Sequence, residues 1–450
     1  EFVFAFRRAV NPVMGNQLAE VFFPLRNAER IYRKETDDLS SLGVSALDEL
    51  TLRVELEYPL PADVLLMNLA HASAVPLHRA TLRRHAGEAA RYSGWAKPGE
   101  LLSNGAFVLD SWRFQRDLRL SPNPFYRRED APSLRGIVFH PVGNMTTQEK
   151  LFRSGQLHVT AGLPASKIPG YRVLDASPLV EHAVNRSTYL VVNLQRPPLN
   201  DLRVRQALAL AIDRTALAGP VFHDAVTPNG RYVPAGLPGY KGPERAISFS
   251  PDEARRLLAD AGYPQGQGFP AVELLVASSE SGRVLATAVR RMWQKELGIS
   301  VTAASQEYQV YLNSLVGGDF DLVFTGWNGG ALPSGFLDRW VTGGGTNDSR
   351  FSDPEYDRLI EVESRSTLDE AVLMDISRRA EDILLRELPI IPLFQAHATY
   401  LVQPAVQGLT RSPLNTVDFR RLSLVDVPAW SRSGRSPGTG AGTAAGAFLN

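Results

Sequence analysis

The residue types that could do chemistry are present, but their spacing does not favour it. The G-x-S-x-G string Gly434-Arg435-Ser436-Pro437-Gly438 has the spacing of a nucleophile elbow, in which a serine stands on a sharp turn between a buried strand and a helix. It lies in residues 431–447, a stretch of Ser, Gly, Arg, Thr, Ala and Pro with no apolar face from which such a strand could form. His71, His78 and His85 recur at seven-residue spacing, yet Pro76 breaks any helix that would align them and no acidic ligand joins them. Two carboxylate pairs, Asp252 with Glu253 and Asp319 with Asp321, could supply an acid and a base. Glycosidase chemistry needs the two carboxyls about 5–10 Å apart, and helix capping and strand ends account for both pairs equally well. The chain has no cysteine, which excludes disulfides, thiolate zinc sites, iron–sulfur clusters and a cysteine nucleophile together. Walker, dinucleotide-binding, H-E-x-x-H and EF-hand motifs are absent too. No catalytic residue, metal set or cofactor is expected. The rival reading is a glycoside or peptide hydrolase with an acid/base pair in its cleft.

Binding is better served. The apolar run Phe320 to Phe324 enters Thr325-Gly326-Trp327-Asn328-Gly329-Gly330, an aromatic beside flexible backbone where a buried strand ends. Such a loop suits ligand binding in an α/β cleft, and equally a tryptophan that caps the core.

The elements that would position this loop follow from periodicity. Residues 50–58 alternate Leu52, Val54, Leu56 and Tyr58 against Arg53, Glu55 and Glu57, predicting a half-buried strand. Two helices separated by Pro76 are expected over 62–86, and short strands around Phe107 to Trp112, Leu118 to Leu120, Ile137 to Phe139 and Leu157 to Val159. A strand through Tyr189 to Asn193 leads to a helix carrying Val204, Leu208, Ala211 and Ile212. Ser250-Pro251-Asp252-Glu253 reads as a capping box. Strands at Val272 to Val276, Ile299 to Val301 and Phe320 to Phe324 then alternate with helices over 283–297, 353–365 and 368–387, and strands follow at Ile390 to Phe394 and Tyr400 to Val402. The body is α/β. At 450 residues it has room for roughly three domains. Lys plus Arg and Asp plus Glu are both 48, so no overall field draws nucleic acid or anionic lipid. No apolar run approaches the ~20 residues that span a bilayer.

Asn193 to Arg214, N-L-Q-R-P-P-L-N-D-L-R-V-R-Q-A-L-A-L-A-I-D-R, closely resembles the central signature of the family 5 extracytoplasmic solute-binding proteins. Further matches fall in the same order: Glu1-Phe2-Val3 with Arg7-Arg8, Ser103 to Phe107, Ser121 to Tyr126, Ser250 to Pro264 with its A-G-Y-P ending, and Gly318 to Trp327. The resemblance runs from residue 1 to about residue 425. It implies a two-lobed periplasmic-binding-protein fold with a hinge and an additional small lobe, incomplete at its N-terminus. The implied division is a remnant of the small lobe in 1–97, a first large lobe in 98–192 with 408–427, a second large lobe in 193–407, and a disordered tail over 428–450. It further implies a monomer outside the cytoplasm that captures a peptide or other small solute, hands it to ABC permease subunits, and binds no nucleic acid. By position in the matched motifs, the cleft candidates are Tyr189, Tyr308, Trp327, Asn328, Gly329 and Gly330; for each tyrosine, half-buried packing is the alternative. The family's W-x-D-G-x-P hallmark and earlier strands would precede Glu1, where a membrane anchor could also lie. Two positions depart from the well-known oligopeptide binders: Gly330 stands where they carry an Asp for the peptide's amino terminus, and Phe324 where they carry an Arg.

Overall fold

The computed structural model describes residues 1–427 and Trp430, apart from Gln17, 87–93, Arg128 and Asp130 and the side chains of Asp63 and Ala86. The helix Phe2–Val10 packs Ala5, Phe6 and Val10 against Phe22, Leu25, Ala28, Ile31 and Leu42, a small core of its own. Beside it β1 (Val44–Ala46) and β2 (Leu52–Val54) form a two-stranded antiparallel ribbon. The strand expected over 50–58 is thus only three residues long, and exposed Leu52 falls outside this core. The helices Ala62–Leu69 and Arg79–Ala86 lie on either side of Pro76 as expected. Next come β3 (Phe107–Arg113), β4 (Asp117–Pro122) and β5 (Ile137–Phe139), an antiparallel sheet in that order. The strand expected at Leu157 to Val159 is reduced to a single bridge, Val159 with Val402.

The main sheet has six strands: β6 (Leu179–Val192), β7 (Val226–Pro228), β8 (Val272–Ala277), β9 (Val301–Gln306), β10 (Leu322–Asn328) and β11 (Ile390–Leu401). Their spatial order is β7–β11–β6–β10–β8–β9. β8, β9 and β10 run parallel to one another, while β6 is antiparallel to both its neighbours. Side chains alternate between two apolar clusters. Leu190, Val192, Leu274, Leu322 and Leu393 face one, joined by Leu285, Val289 and Trp293 of the helix Glu280–Leu297. Tyr189, Val191, Leu275, Val323 and Ile390 face the other, with Ile376, Ala380 and Leu384 of the helix Glu370–Glu387. Helices therefore cover both faces, which explains the nearly continuous apolar strands.

Caps fix where these helices start and stop. Ser279 accepts from the Gly282 N–H (3.0 Å), and Gly298 ends that helix at φ 72°, a left-handed conformation that glycine adopts without steric cost. Ser250 makes no side-chain cap, contrary to the capping-box reading: its own N–H donates to the Leu210 carbonyl at 2.9 Å, and Glu253 is engaged by Arg256 one turn on. The helix Pro251–Asp260 starts on Pro251 alone.

β6 and β11 are much longer than the sequence predicted and continue beyond the main sheet, pairing as far as Leu179 with Leu401. Their far ends meet the cluster of Phe152, Leu163, Ile168 and Tyr171. Trp430, assigned to the tail, packs there: its ring lies 5.5 Å from Tyr171 and its Nε1–H donates to the Ala176 carbonyl at 3.0 Å. The rest of the expected tail, including Ser436, lies outside the described residues. Trp430→Ala should cost about 1–3 kcal/mol of stability, less than the 3–5 of a fully buried tryptophan. Chemical denaturation measures this; an unchanged midpoint would show that the indole is not docked.

Candidate functional site

Because β8, β9 and β10 are parallel, their carboxyl ends share one edge of the sheet. Tyr308 follows β9, Trp327 lies near the end of β10, and β8 lies between them. β10 pairs with β6 from Leu322 to Asn328 but with β8 only at Leu322 and Val323. Beyond Val323 the two strands splay. The Phe324 carbonyl on the splayed side accepts from the Tyr311 hydroxyl at 2.9 Å. Backbone alternation puts the N–H and C=O of Gly326 and Asn328 on the same side, without a strand partner. The site therefore combines an aromatic wall with a free strand edge. Gln306, ending β9, adds a buried side-chain oxygen with no partner.

The loop after Trp327 owes its course to glycine. A Cβ on Gly329 would run into the Phe336 ring, and one on Gly335 into the Gly329 carbonyl, so loop and helix meet backbone to backbone. Gly330 has φ 86° with open space around it, and its carbonyl accepts from Asn185 Nδ2 at 3.0 Å. An Asp at 330 would find room but not a comfortable backbone.

Trp327 is held from behind. Its Nε1–H donates to the Gly335 carbonyl at 2.8 Å, and the Arg339 guanidinium lies 4.1 Å from its ring centre. Arg339 is 7% exposed. It donates to the Tyr189 hydroxyl (2.8 Å) and the Thr346 carbonyl (2.9 Å), pairs with Asp348 (3.2 Å), and its other face lies 4.8 Å from Trp340. Burial pushes the Asp348 carboxyl up to about 6, although Arg339 and Arg350 pull it down.

Of the expected cleft residues, Trp327, Asn328, Gly329 and Gly330 form one continuous wall, and exposed Tyr308 stands across the edge, stacked on Tyr311 at 6.2 Å. Asn328 takes a hydrogen bond from Arg186 at 3.4 Å. Tyr189 is different: it is fully buried, edge-on to Tyr232 and Trp340, and supports the wall from inside. Register explains this, since Tyr189 pairs with Thr325 and points to the same core face as Val191. Phe324 likewise packs, 6.5 Å from Phe394. Sequence reasoning missed Arg339, Asp348 and Asn185, whose partners lie on other segments and leave no local pattern.

The other chemical candidates do not converge. His71 Nδ1 accepts from the Ser73 N–H, His78 contacts Thr81, and His85 meets Glu100 at 2.9 Å. Asp321 tethers the Glu273 N–H and Arg196 at the base of the sheet. A separate concavity of 710 Å³, lined by Ser103, Asn104, Tyr126 and Arg420, lies at two of the matched turns. Its polar groups serve one another: Asn123 fastens the Ser103 and Gly105 carbonyls, and Arg420 reaches the Tyr126 hydroxyl.

Fold and site together define a two-lobed solute binder. Residues 1–348 match the family model described as bacterial extracellular solute-binding proteins, family 5, middle region, and the chain belongs to that family; it is a binding protein and not an enzyme. Among similar proteins, the periplasmic murein peptide-binding protein of Escherichia coli is 30% identical over 94% of this chain and 78% of its own length. The periplasmic oligopeptide-binding protein of the same organism is 28% identical over the same shares. A solved structure of the Escherichia coli murein tripeptide binding protein superposes with a TM-score of 0.86 at 27% identity, covering 95% of this chain and 83% of that one. The unliganded open form of that relative, matched over 94% and 82%, gives only 0.65. With nearly the same residues matched, the arrangement of this chain is nearer to the first of these structures than to the open form.

Two predictions follow from the wall and its surroundings. Arg339→Met should strand Asp348 and cost about 3–5 kcal/mol, as expected when one partner of a buried pair is removed. Equilibrium unfolding measures it, and a loss under 1 kcal/mol would mean that the pair is well solvated. Asp338, next to Arg339, keeps much of its area open yet is so closely ringed by protein that burial raises its pKa to about 7, against Arg365, with Glu20 adding to the rise. A carboxyl raised on folding favours the folded state while protonated, and that advantage is lost as pH rises towards 7. The loss begins at about pH 4, where the unfolded carboxyl ionises, so Asp338→Asn should raise the melting temperature at pH 8 and by a clearly smaller margin at pH 5. Equal effects at both would contradict the shift.

Proposed function

We propose that this chain is the solute-capturing subunit of an ABC importer, taking a peptide or peptide-like solute by hinge closure and delivering it to the permease in the membrane. Three lobes divide the work: residues 1–97, residues 98–192 with 408–427, and residues 193–407. Separate apolar clusters in the first and last of these support the division. The protein acts as a monomer in the periplasm. Among the described residues no helix is long and apolar enough to cross a membrane, and the relatives above carry periplasmic names.

The observation that carries the peptide reading is the free edge of β10 beside Trp327. An extended chain can add to such an edge through main-chain hydrogen bonds, which are indifferent to side-chain identity, while aromatic walls supply area. Neither position 330, a glycine, nor Phe324, which is packed, offers a charge to the solute's ends, and the main-chain edge does not distinguish a free from a blocked terminus. N-acetylated and free peptides should therefore bind with similar affinity. The hydrolase alternative lacks convergent groups among the described residues.

Titration calorimetry with short peptides tests this. Trp327→Ala should weaken binding about tenfold, near 1.4 kcal/mol, and an N-methyl group on the amide facing β10 should weaken it comparably. Peptides of every kind failing to bind, with a sugar or metal chelate binding tightly instead, would overturn the solute class.

A further inference from the structure

The apolar core of residues 3–77 and the two flanking the main sheet are separate clusters. What joins the first segment to residues 338–365 is polar and centres on Arg365. Its Nη1 pairs with Glu29 Oε2 at 3.3 Å, and its guanidinium lies 4.9 Å from the Tyr58 ring centre. The other Glu29 oxygen takes Arg33 at 2.7 Å, and Arg33 reaches back across to Glu361 at 3.7 Å. Alongside, the Gly345 N–H donates to Glu20 Oε1 at 3.2 Å. The side chains of Arg365 and Glu29 are 27% and 22% exposed, so the pair is partly shielded from water and salt. Apart from Arg33 with Glu29, these contacts bridge segments that the proposed function assigns to different lobes, and they exist in a disposition distinct from a relative's open form.

We infer that Arg365 is the latch of the closed state, a positioning residue that raises affinity for every solute without touching any. The inference rests on the reading that solute is captured by closure of the 1–97 lobe onto the 193–407 lobe. A protein whose binding-competent form is only partly populated loses affinity in proportion to that fraction. A contact made only on closure therefore multiplies the affinity of all ligands equally. Its loss acts on dissociation, because the closed complex opens more often.

The chain has no cysteine, so label pairs can be placed without background. Spin labels at Glu49→Cys and Arg291→Cys, exposed positions on the two lobes, report closure as a distance. The ligand-free protein should populate a short distance that Arg365→Ala depletes. Arg365→Ala should weaken each of several unrelated short peptides by the same factor, roughly 3- to 10-fold, through faster dissociation, with the ligand-free melting temperature unchanged. Arg365→Lys should restore part of the loss, and adding Glu29→Ala to Arg365→Ala should cost nothing more. The distances decide the matter even if no peptide binds, which would count against the solute class alone. Unchanged distances, losses that differ between peptides, or a melting temperature that falls in step with affinity would overturn the latch.

Discussion

A cation taken out of water beside the main sheet governs this structure. Burying a guanidinium costs several kcal/mol unless it is paired and hydrogen-bonded. Arg339 meets most of that demand by drawing together Tyr189 on β6, Trp327 on β10 and the Thr346–Asp348 turn, with the Trp340 ring 4.8 Å away, while its buried Nε stays without a partner. Tyr189 lies 150 residues away, so the requirement is a tertiary restraint, and it fixes the orientation of the Trp327 indole, the proposed binding wall. The glycines at 329 and 335 serve the same end by letting loop and helix touch through their backbones.

Around this fixed wall the sheet supplies the opening. β10 is bonded to β6 along the whole of its own length, which holds the Trp327 strand firmly from one side. β8 leaves β10 after Val323, which frees the other side. A rigid strand with one unused edge answers the need of a binder for varied peptides, since order is supplied by the scaffold and the solute brings only its main chain. The long strands β6 and β11 run from the main sheet into the cluster around Phe152, tying the Trp327 strand to that second core.

Much of this could be read before the structure. Helices with strong apolar periodicity, such as Glu280–Leu297 and Glu370–Glu387, and the strand that enters the Trp327 loop lie close to where the pattern placed them. The ordered motifs gave the family and hence the fold. Other features depend on partners that no local pattern encodes. Tyr189 is buried because of its register against Thr325. The 50–58 alternation yields a three-residue strand because β1 offers only three residues to pair with. Trp430 docks because Tyr171 and the Ala176 carbonyl await it, although its neighbours in sequence resemble a tail.

The most direct test of the account is a crystal structure of the protein with a solute retained from its native host. The account predicts an extended molecule lying along Gly326 to Asn328, hydrogen-bonded to that edge and resting on the Trp327 ring, with Arg339 unmoved behind it. Solute bound instead in the concavity between Asn104 and Arg420, with the β10 edge bare, would contradict it.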